Sequence, residues 1–473
     1  MTNVILINAP IVLYANGVDR ETNYISDGDE FSFYPINLLY IASYLIKKGH
    51  SVKVIDPTAY TLTLDEIVRI VYNVKPKIIG ITAMTPSIQS AVILARELQI
   101  FDVPIVLGGI HMTNDPGIIT RHPYFDYGVV GDGERVFYEI MQGNHKAGIV
   151  HAPRIEDLDS LPFPARHLVD INKYKRPEQM NFEAFHIDIL TSRGCAYNCS
   201  FCSIPNSGHK VRFRKAKYVV DEIENSYDDC NGYFTFNDDC FTLSKAHVLS
   251  LCNEIIDRKL KIRFMASTRA NCIDKEVVKA LKRMGCKNLC IGVESGSERI
   301  RNEVIGKEVS DKDIATCVAL CRSHGIIASL FLMVGLPSET HLDMKKTIGI
   351  GPRLKADYIG VHQTTPYPNS RIYQLAMREG KIPCDLVDQW AEGSRGRDFR
   401  KAWVFYVPDG FTQKDMVDYK RRVYLRFYLD PGWIIRKLWH WIRHPVYFIK
   451  NDLKLFKLLP SVIMRGGTKG QFS

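Results

Sequence analysis

Apolar residues along this chain fall into two successive series in which short strands alternate with helices. In the first series, compact apolar runs typical of buried strands are followed by segments whose apolar residues recur at helical spacing. The predicted strands are residues 3–8, 50–56, 78–82 and 104–107, and the predicted helices are residues 35–49, 64–74, 87–98 and a segment that begins near Gly133. This alternation predicts a parallel sheet covered by helices on both faces.

The second series begins at His186 and repeats the same pattern. Its predicted strands are residues 186–190, 233–236, 262–266, 288–293, 327–334 and 358–362, with helices such as 216–227, 246–259 and 311–324 between them. Six strand–helix units suit a partial, open barrel rather than a closed barrel of eight. Between the two series, residues 146–185 mix acidic residues and prolines without a sustained period, which indicates a connector.

The resulting fold prediction is an α/β protein with a helical tail. We predict an N-terminal Rossmann-like (flavodoxin-like) parallel-sheet domain in residues 1–145, a linker in residues 146–185, a partial (β/α)6 TIM-type barrel in residues 186–410, and a helical C-terminal region in residues 411–473. In both kinds of sheet, ligands bind beyond the carboxyl ends of the strands, so candidate site residues are expected there.

The C-terminal region differs from both series because it is basic and aromatic. From Arg421 onward there are eleven Lys and Arg but only two Asp and Glu, so this region carries most of the chain's net charge of +10. Residues 419–428 and 433–443 have helical spacing, and residues 446–463 are rich in Phe, Leu and Lys. Amphipathic helices of this composition suit the surface of an anionic membrane. The alternative is a helical cap on the barrel; nucleic acid is not an expected partner, because no RNA-binding module accompanies the tail.

The cysteines indicate the compartment in which the chain works. There are twelve of them and none precedes Cys195, a distribution that is not expected of a secreted disulfide scaffold. The N-terminus lacks a basic region and a cleavage site, so no signal peptide is predicted. No apolar run reaches the about 18 residues that a membrane-spanning helix needs. We therefore predict a cytoplasmic protein, with peripheral contact to the inner membrane surface as a role for the tail.

Three closely spaced cysteines stand directly after the first predicted strand of the barrel. Cys195, Cys199 and Cys202 form a C-x3-C-x2-C pattern within the stretch TSRGCAYNCSFC. Three thiolates can hold three irons of a [4Fe–4S] cluster and leave the fourth iron open for a ligand. The alternative interpretations are a zinc site and a chance grouping of buried cysteines. The spacing differs from that of most zinc sites, which show paired C-x2-C spacings and four ligands.

This motif resembles the signature of the radical S-adenosylmethionine (SAM) enzymes. The resemblance implies that Cys195, Cys199 and Cys202 hold a [4Fe–4S] cluster, with Phe201 beside the cofactor. It implies that the open iron chelates the amino and carboxylate groups of SAM, and that one electron cleaves SAM to a 5′-deoxyadenosyl radical. A flavodoxin- or ferredoxin-type electron donor is then an expected partner.

The same resemblance implies SAM contacts at the strand ends of the barrel. In the family, acidic residues after the second strand contact the methionine ammonium. Here two neighbouring aspartates follow that strand, and the resemblance does not decide which of them makes the contact. Ser267 and Arg269 are expected near the methionine carboxylate or ribose, and the carboxylate after the fourth strand near the ribose hydroxyls. GLPSET, residues 335–340, is similar to a family turn that packs against adenine. The implied SAM residues are Asp238, Asp239, Ser267, Arg269, Glu294, Ser295, Gly335 and Pro337.

The first domain resembles the cobalamin-binding domain that precedes many radical SAM enzymes. The stretch PINLLYIASYLIKKGHSVKVID and the GGIH and GDGE loops stand at that family's places. The D-x-H-x-x-G signature that supplies a histidine to cobalt is absent, so no histidine ligand is expected from that position. A flavodoxin-like domain with another ligand, or with none, is the alternative. The implied cobalamin residues are Asp56, Thr82, Ser87, Gly108, Gly109, His111, Gly131, Gly133 and Glu134, with His111 not expected to bind cobalt.

Three functions are compatible with these features. The first is a cobalamin-dependent radical SAM methyltransferase that methylates an unactivated carbon of a natural-product or lipid-type substrate. The second is a cobalamin-dependent radical cyclase, or another non-methylating radical enzyme, acting on a lipid- or tetrapyrrole-type substrate. The third is a non-catalytic cobalamin or metal sensor with a structural cluster. The methyltransferase is favoured because radical formation and methyl donation need different centres, which two cofactors supply.

Overall fold

Two parallel sheets organise the protein in the computed structural model. The structure describes residues 3–11, 34–174, 187–204, 210–392 and 405–443. The predicted segment 446–463 of the tail, the end of the predicted linker and the first residue of the barrel's first predicted strand lie outside the described residues.

The first sheet has six parallel strands in the order β2-β1-β3-β4-β5-β6. The strands are β1 Val4–Asn8, β2 Val52–Ile55, β3 Ile78–Thr82, β4 Ile105–Gly108, β5 Tyr127–Val130 and β6 Gly148–His151. The sequence pattern predicted the first four but missed β5 and β6, and β6 lies inside the segment predicted as a linker. Both are short, and β6 is an edge strand with one buried residue, so neither has the continuous apolar run of a central strand.

Helices connect these strands and cover both faces of the sheet. Thr63 begins one of them: its hydroxyl accepts a hydrogen bond from the Glu66 N–H at 3.3 Å, and the Glu66 carboxylate accepts one from the Thr63 N–H at 2.7 Å. This capping box satisfies N–H groups that lack a partner inside the helix. The helices are α1 Ile36–Lys47, α2 Pro57–Tyr60, α3 Leu64–Val74, α4 Ile88–Leu98, α5 Ile110–Asn114, α6 Ile118–Arg121 and α7 Gly133–Met141.

The second sheet is the predicted open barrel of six parallel strands, in the order β14-β13-β12-β11-β10-β7. Its strands are β7 Ile187–Ile189, β10 Tyr233–Phe236, β11 Arg263–Arg269, β12 Cys286–Glu294, β13 Ile327–Val334 and β14 Tyr358–Gln363. A small antiparallel pair, β8 Ser192–Arg193 with β9 Arg212–Phe213, follows the first strand. The helices are α8 Ala216–Asn225, α9 Lys245–Asp257, α10 Lys275–Met284, α11 Asp311–Ser323, α12 His341–Leu354, α13 Arg371–Arg378 and α14 Leu386–Glu392.

Alternation along the strands separates an apolar outer face from a more polar inner face. On β12, Leu289, Ile291 and Val293 are fully buried in the apolar cluster that packs against the helices. The residues that alternate with them, Cys290 and Gly292, therefore point to the opposite, inner face of the barrel, and Glu294 ends the strand. The inner face is where a partial barrel can present polar side chains to a ligand.

The C-terminal region continues the helical layer of the barrel. Helix α15, Gln413–Tyr428, packs alongside α12 and next to β14, which is an edge of the sheet. The Tyr424 hydroxyl accepts a hydrogen bond from the Val361 N–H of that edge strand at 3.0 Å. Helix α16, Pro431–Arg443, follows and is anchored by the buried Trp433. In the described part of the chain, none of the helices has the length and apolar content needed to cross a bilayer.

Candidate functional site

The cysteine loop leaves the carboxyl end of β7 and is held against the rest of the barrel. Cys199 is buried, whereas Cys195 and Cys202 are half-buried. The Ser200 N–H donates to the Ile305 carbonyl at 2.9 Å, which fixes the middle of the loop. The three thiols therefore lie together at the end of the barrel where parallel-barrel enzymes carry out their chemistry.

Two neighbouring aspartates at the end of β10 hold the start of this loop. Asp238 is buried and accepts hydrogen bonds from the Thr191 hydroxyl at 2.9 Å and the Ser192 hydroxyl at 2.5 Å. Burial raises the pKa of Asp238 to about 6. Asp239 is exposed, and the one hydrogen bond that the described residues give its carboxylate comes from the Gly194 N–H at 3.2 Å. Asp238 is thus committed to the fold, while Asp239 retains lone pairs for a ligand.

Arg269 contacts the cysteines more closely than the sequence analysis predicted. Its guanidinium donates to the Cys199 sulfur at 3.3 Å, and its central carbon lies 3.4 Å from the centre of the Tyr197 ring. A further bond goes to the Lys307 carbonyl. The predicted strand 262–266 is longer than expected, so Arg269 ends β11 instead of following it. The guanidinium of Arg269 therefore lies directly beside the cysteine loop, at the end of the barrel where SAM is expected.

The three thiols do not form a site for one shared metal ion. Among the described residues, no three His, Cys, Asp or Glu side chains converge closely enough to hold a single metal ion. A [4Fe–4S] cluster makes a different demand, because each cysteine binds its own iron. Burial raises the pKa of Cys195 and raises that of Cys202 to about 12, and iron would reverse this shift by binding the thiolate.

Glu294 occupies the end of β12 in a strained backbone conformation. Its φ is +66°, a region that residues with a side chain rarely adopt and that is concentrated at functional sites. The Lys307 ammonium donates to its carboxylate at 2.6 Å. Ser295 is fully buried, and its hydroxyl lies 3.3 Å from that of Thr347, so it supports the turn. Ser267 is half-buried within β11.

The GLPSET turn is fixed by its own glutamate. Glu339 accepts hydrogen bonds from the N–H groups of Gly335 and Leu336, each at 2.9 Å. Gly335 has φ +83°, and a side chain there would meet Met416 of α15. Pro337 is buried beside it. The tail helix therefore packs against the turn at the end of β13.

The first domain contains a cavity of about 340 Å³ at the carboxyl ends of β3, β4 and β5. Glycine is required at two positions of its wall: a Cβ on Gly80 would lie 2.7 Å from the Phe137 ring, and Gly109 has φ +95°. Six of the nine residues predicted for cobalamin line the cavity, namely Thr82, Gly108, Gly109, Gly131, Gly133 and Glu134.

The remaining three predicted residues do not line this cavity, and their side chains are committed to the fold. Asp56 caps α2 and accepts a hydrogen bond from the Asn8 amide at 3.0 Å. The Ser87 hydroxyl accepts from the Met84 N–H at 3.0 Å. His111 is completely buried, its Nδ1 lies 3.2 Å from the Thr85 hydroxyl, and burial lowers its pKa to about 3.

The cavity extends to the cysteine loop of the barrel. Arg193 and Gly194, which immediately precede Cys195, belong to its wall. Arg193 donates to the Glu134 carboxylate of the first domain at 2.6 Å, and Arg212 pairs with Asp132. These pairs join the two domains where the cavity meets the barrel. The sequence analysis missed both arginines and Asp132, since residues so far apart in the chain carry no local signal of their contact.

Comparison with known proteins identifies the family. The chain is 30% identical over 443 residues to an uncharacterized methyltransferase of Pyrococcus horikoshii, and the alignment covers 89% of this chain and 92% of the relative. The model of the Radical SAM superfamily matches residues 189–349, and that of the B12 binding domain matches residues 29–141. The chain belongs to the cobalamin-binding radical SAM enzymes.

Two further matches describe the breadth of this family. An anaerobic magnesium-protoporphyrin IX monomethyl ester cyclase of Rubrivivax gelatinosus is 27% identical over 455 residues, covering 87% of this chain and 77% of the relative. The structure of TsrM, a radical SAM methyltransferase from Kitasatospora setae with cobalamin and a [4Fe–4S] cluster bound, matches with a TM-score of 0.65. It is 20% identical and covers 91% of this chain and 92% of that chain. This likeness confirms the predicted fold class.

The cofactors of the radical SAM enzyme are a [4Fe–4S] cluster, SAM and cobalamin, as the motifs predicted. The residues present fit each of them. Three thiols lie in one short loop at the barrel mouth, with Phe201 half-buried between the last two. A glycine-lined cavity stands next to that loop, and no histidine is among its described lining residues.

Proposed function

We propose that this radical SAM enzyme transfers a methyl group to an unactivated carbon of a natural-product or lipid-type substrate. The observation that carries the proposal is the shared wall between the glycine-lined cavity and the cysteine loop, formed by Arg193 and Gly194. Residues 1–145 would act as the cobalamin-binding domain, extended by β6, and residues 186–410 as the radical SAM barrel, with residues 146–185 between them. Methyl transfer is also the activity in the name of the Pyrococcus horikoshii relative.

In this proposal the chain's own residues bind and orient the reactants. Asp239 would accept from the methionine ammonium of SAM, and Glu294 from its ribose hydroxyls, because both carboxylates lie at strand ends of the barrel. The cysteine loop would hold the cluster, and the glycine loops would approach the corrin closely. When bound, the cluster and SAM supply the radical, and cobalamin supplies the methyl carrier.

Anaerobic assay of the reconstituted protein tests methyl transfer. The protein, loaded with cluster and cobalamin, would be incubated with SAM, a reductant and a metabolite extract from a strain that lacks the gene. Hydrogen abstraction yields 5′-deoxyadenosine and methyl donation yields S-adenosylhomocysteine, so both are expected to rise with added extract. Formation of 5′-deoxyadenosine without S-adenosylhomocysteine contradicts the proposal.

That same outcome favours a second candidate, a radical cyclase or another non-methylating enzyme. The 27% identity to the Rubrivivax gelatinosus cyclase across 87% of this chain is the observation that favours it. The product mass distinguishes the two functions, since methylation adds a CH2 unit to the substrate and cyclisation does not.

The two aspartates of β10 give a prediction about SAM binding. We expect Asp239→Asn to weaken SAM binding about 10- to 100-fold, since a hydrogen bond to a charged group contributes roughly 1.5–3 kcal/mol. The matched variant Asp238→Asn should instead lower the free energy of unfolding by about 1–3 kcal/mol, because its amide faces hydroxyl donors. Equilibrium dialysis with SAM and urea unfolding measure the two effects. A larger loss of SAM affinity in Asp238→Asn would refute the assignment.

We further propose a cytoplasmic protein that receives electrons from a flavodoxin- or ferredoxin-type donor and touches the inner membrane surface through α16. Trp433 anchors one side of this helix, donating to the Asp357 carbonyl at 3.0 Å. Apolar side chains on the rest of the helix are exposed: Ile435 by 66%, Trp439 by 58% and Ile442 by 74%. Basic side chains lie among them, as on helices that bind anionic lipid.

Loss of these apolar side chains should release the protein from membranes. We expect Ile435→Ser with Ile442→Ser to reduce binding to phosphatidylcholine–phosphatidylglycerol vesicles about 30-fold, because each of the two exposed isoleucines can bury apolar area worth roughly 1 kcal/mol. Ile100→Ser is the matched control, since Ile100 is 72% exposed elsewhere on the surface. Vesicle cosedimentation of the full chain measures the effect. Equal binding by the wild type and the double variant would refute the membrane role.

A further inference from the structure

Lys420 is a buried lysine at the free edge of the barrel. It lies on α15 with 9% of its surface exposed, one helical turn after Met416 and one before Tyr424. Met416 packs against Gly335 at the end of β13, and Tyr424 bonds the edge strand β14. Because residues four apart share one face of a helix, Lys420 faces β14 between these two anchors.

The Lys420 ammonium has no anionic partner. Within the described chain, neither a carboxylate nor a hydrogen-bond acceptor contacts it, although nearly every other buried cation of the barrel is paired. Lys307, for comparison, bonds Glu294 at 2.6 Å, and Arg301 bonds the Ser295 carbonyl at 2.7 Å. Burial lowers the pKa of Lys420 to about 8. Most of the Lys420 side chain is buried while its charge is unpaired within the described chain, an unfavourable arrangement that indicates a ligand more than a structural role.

Strands β13 and β14, which lie next to Lys420, contain no Asp, Glu, Lys or Arg. His362, on β14, is the titratable group whose pKa the Lys420 charge affects, and burial is the larger cause that lowers that pKa to about 4. A neutral imidazole can donate or accept one hydrogen bond. The Phe331 ring of β13 lies 6.2 Å from the imidazole, centre to centre, and Met333 pairs in register with His362. An apolar wall with one cation and one imidazole suits a small molecule that carries an acidic group.

This face lies away from the elements assigned to the cofactors. Strand β14 is at the opposite end of the sheet order from β7 and β10, which carry the cysteine loop and Asp239. A molecule held at Lys420 would therefore be bound across the barrel interior from SAM.

We propose that Lys420 binds an anionic oxygen group, a carboxylate or a phosphate, of the substrate, and that His362 completes this subsite. This inference rests on the proposed function, because only that function makes the bound molecule a substrate. The anion subsite itself does not require methyl transfer, so it can be tested separately.

Stabilisation by small anions tests the subsite in the holoenzyme. Unfolding midpoints would be measured anaerobically at constant ionic strength, with chloride replaced by inorganic phosphate in one series and by benzoate in another. We expect one of the two anions to raise the midpoint of the wild type, of Lys420→Arg and of the control Lys414→Met, in which an exposed lysine of the same helix is changed. Lys420→Met should lose this shift, because the charge that holds the anion is gone.

The anion series that raises the midpoint identifies the class of acidic group, phosphate or carboxylate.

Lys420→Met should fold, since it keeps an apolar stem and removes an unpaired charge from a mostly buried position. Its unfolding midpoint without added anion should be higher than that of the wild type. An equal anion shift in Lys420→Met and the wild type, or no shift in the wild type with either anion, overturns the proposal. Neither outcome depends on formation of S-adenosylhomocysteine, so failure of the subsite and failure of methyl transfer are distinguishable.

Discussion

Cys199→Ala is expected to lose the cluster and, with it, formation of 5′-deoxyadenosine. Changes to residues that merely support a metal ligand cost about 10- to 100-fold in affinity or activity, so removal of a ligand should cost more than about 100-fold. The buried Cys199 also accepts the hydrogen bond from Arg269 at 3.3 Å, which would be left beside an uncharged methyl group. Iron analysis, the visible absorbance of the reconstituted protein and the yield of 5′-deoxyadenosine measure the loss.

The control for this experiment is a cysteine outside the loop. Cys317 is fully buried in the apolar cluster around the barrel, on α11. Cys317→Ala should lower the stability slightly through lost packing while retaining iron and 5′-deoxyadenosine formation. Normal iron content and radical formation in Cys199→Ala would show that the loop does not hold the cluster.

Gly108→Phe is expected to abolish cobalamin binding while the protein remains folded. A Cβ on Gly108 would meet no atom within 4 Å, and Gly108 lines the cavity of about 340 Å³, so we expect a side chain there to extend into the cavity. Because the ring and the cofactor compete for one space, the cobalamin retained per protein should fall by more than about tenfold, as expected for a lost binding energy above about 1.4 kcal/mol. The absorbance of bound cobalamin after gel filtration measures this ratio.

A matched substitution on a helix of the barrel distinguishes a blocked cavity from a general effect of a new phenylalanine on folding. A Cβ on Gly349, in α12, would also meet no atom within 4 Å. Gly349→Phe should bind cobalamin as the wild type does, and both variants should retain the [4Fe–4S] cluster. Undiminished cobalamin in Gly108→Phe would place the cofactor outside this cavity.

Local signals account for the parts of the fold and site that the sequence predicted. The cysteines lie within eight residues of one another, so their shared loop did not depend on tertiary contacts. Helix α3 matches its predicted range, Leu64–Val74, because apolar spacing and the Thr63–Glu66 capping box both lie inside the segment. The barrel strands were predicted because strands of a parallel sheet that are buried on both faces form nearly continuous apolar runs.

Side-chain direction and long-range pairing could not be predicted in the same way. The loops around the cavity were located correctly, but His111 and Ser87 turn into the fold, and nothing in their local sequence distinguishes the two directions. Asp238 and Asp239 are the same residue type at adjacent positions. Their surroundings differ because the hydroxyls of Thr191 and Ser192, far away in the chain, donate hydrogen bonds to Asp238 and leave the carboxylate of Asp239 accessible.

The ion pairs at the domain boundary have a consequence for how the enzyme is assembled. Glu134 stands in the wall of the glycine-lined cavity, and its partner Arg193 is two residues from Cys195. The first domain therefore acts as a scaffold for the segment that must receive iron and sulfide. We therefore expect binding of cobalamin and assembly of the cluster to favour each other, because ordering either pocket would lower the entropic cost of ordering the other.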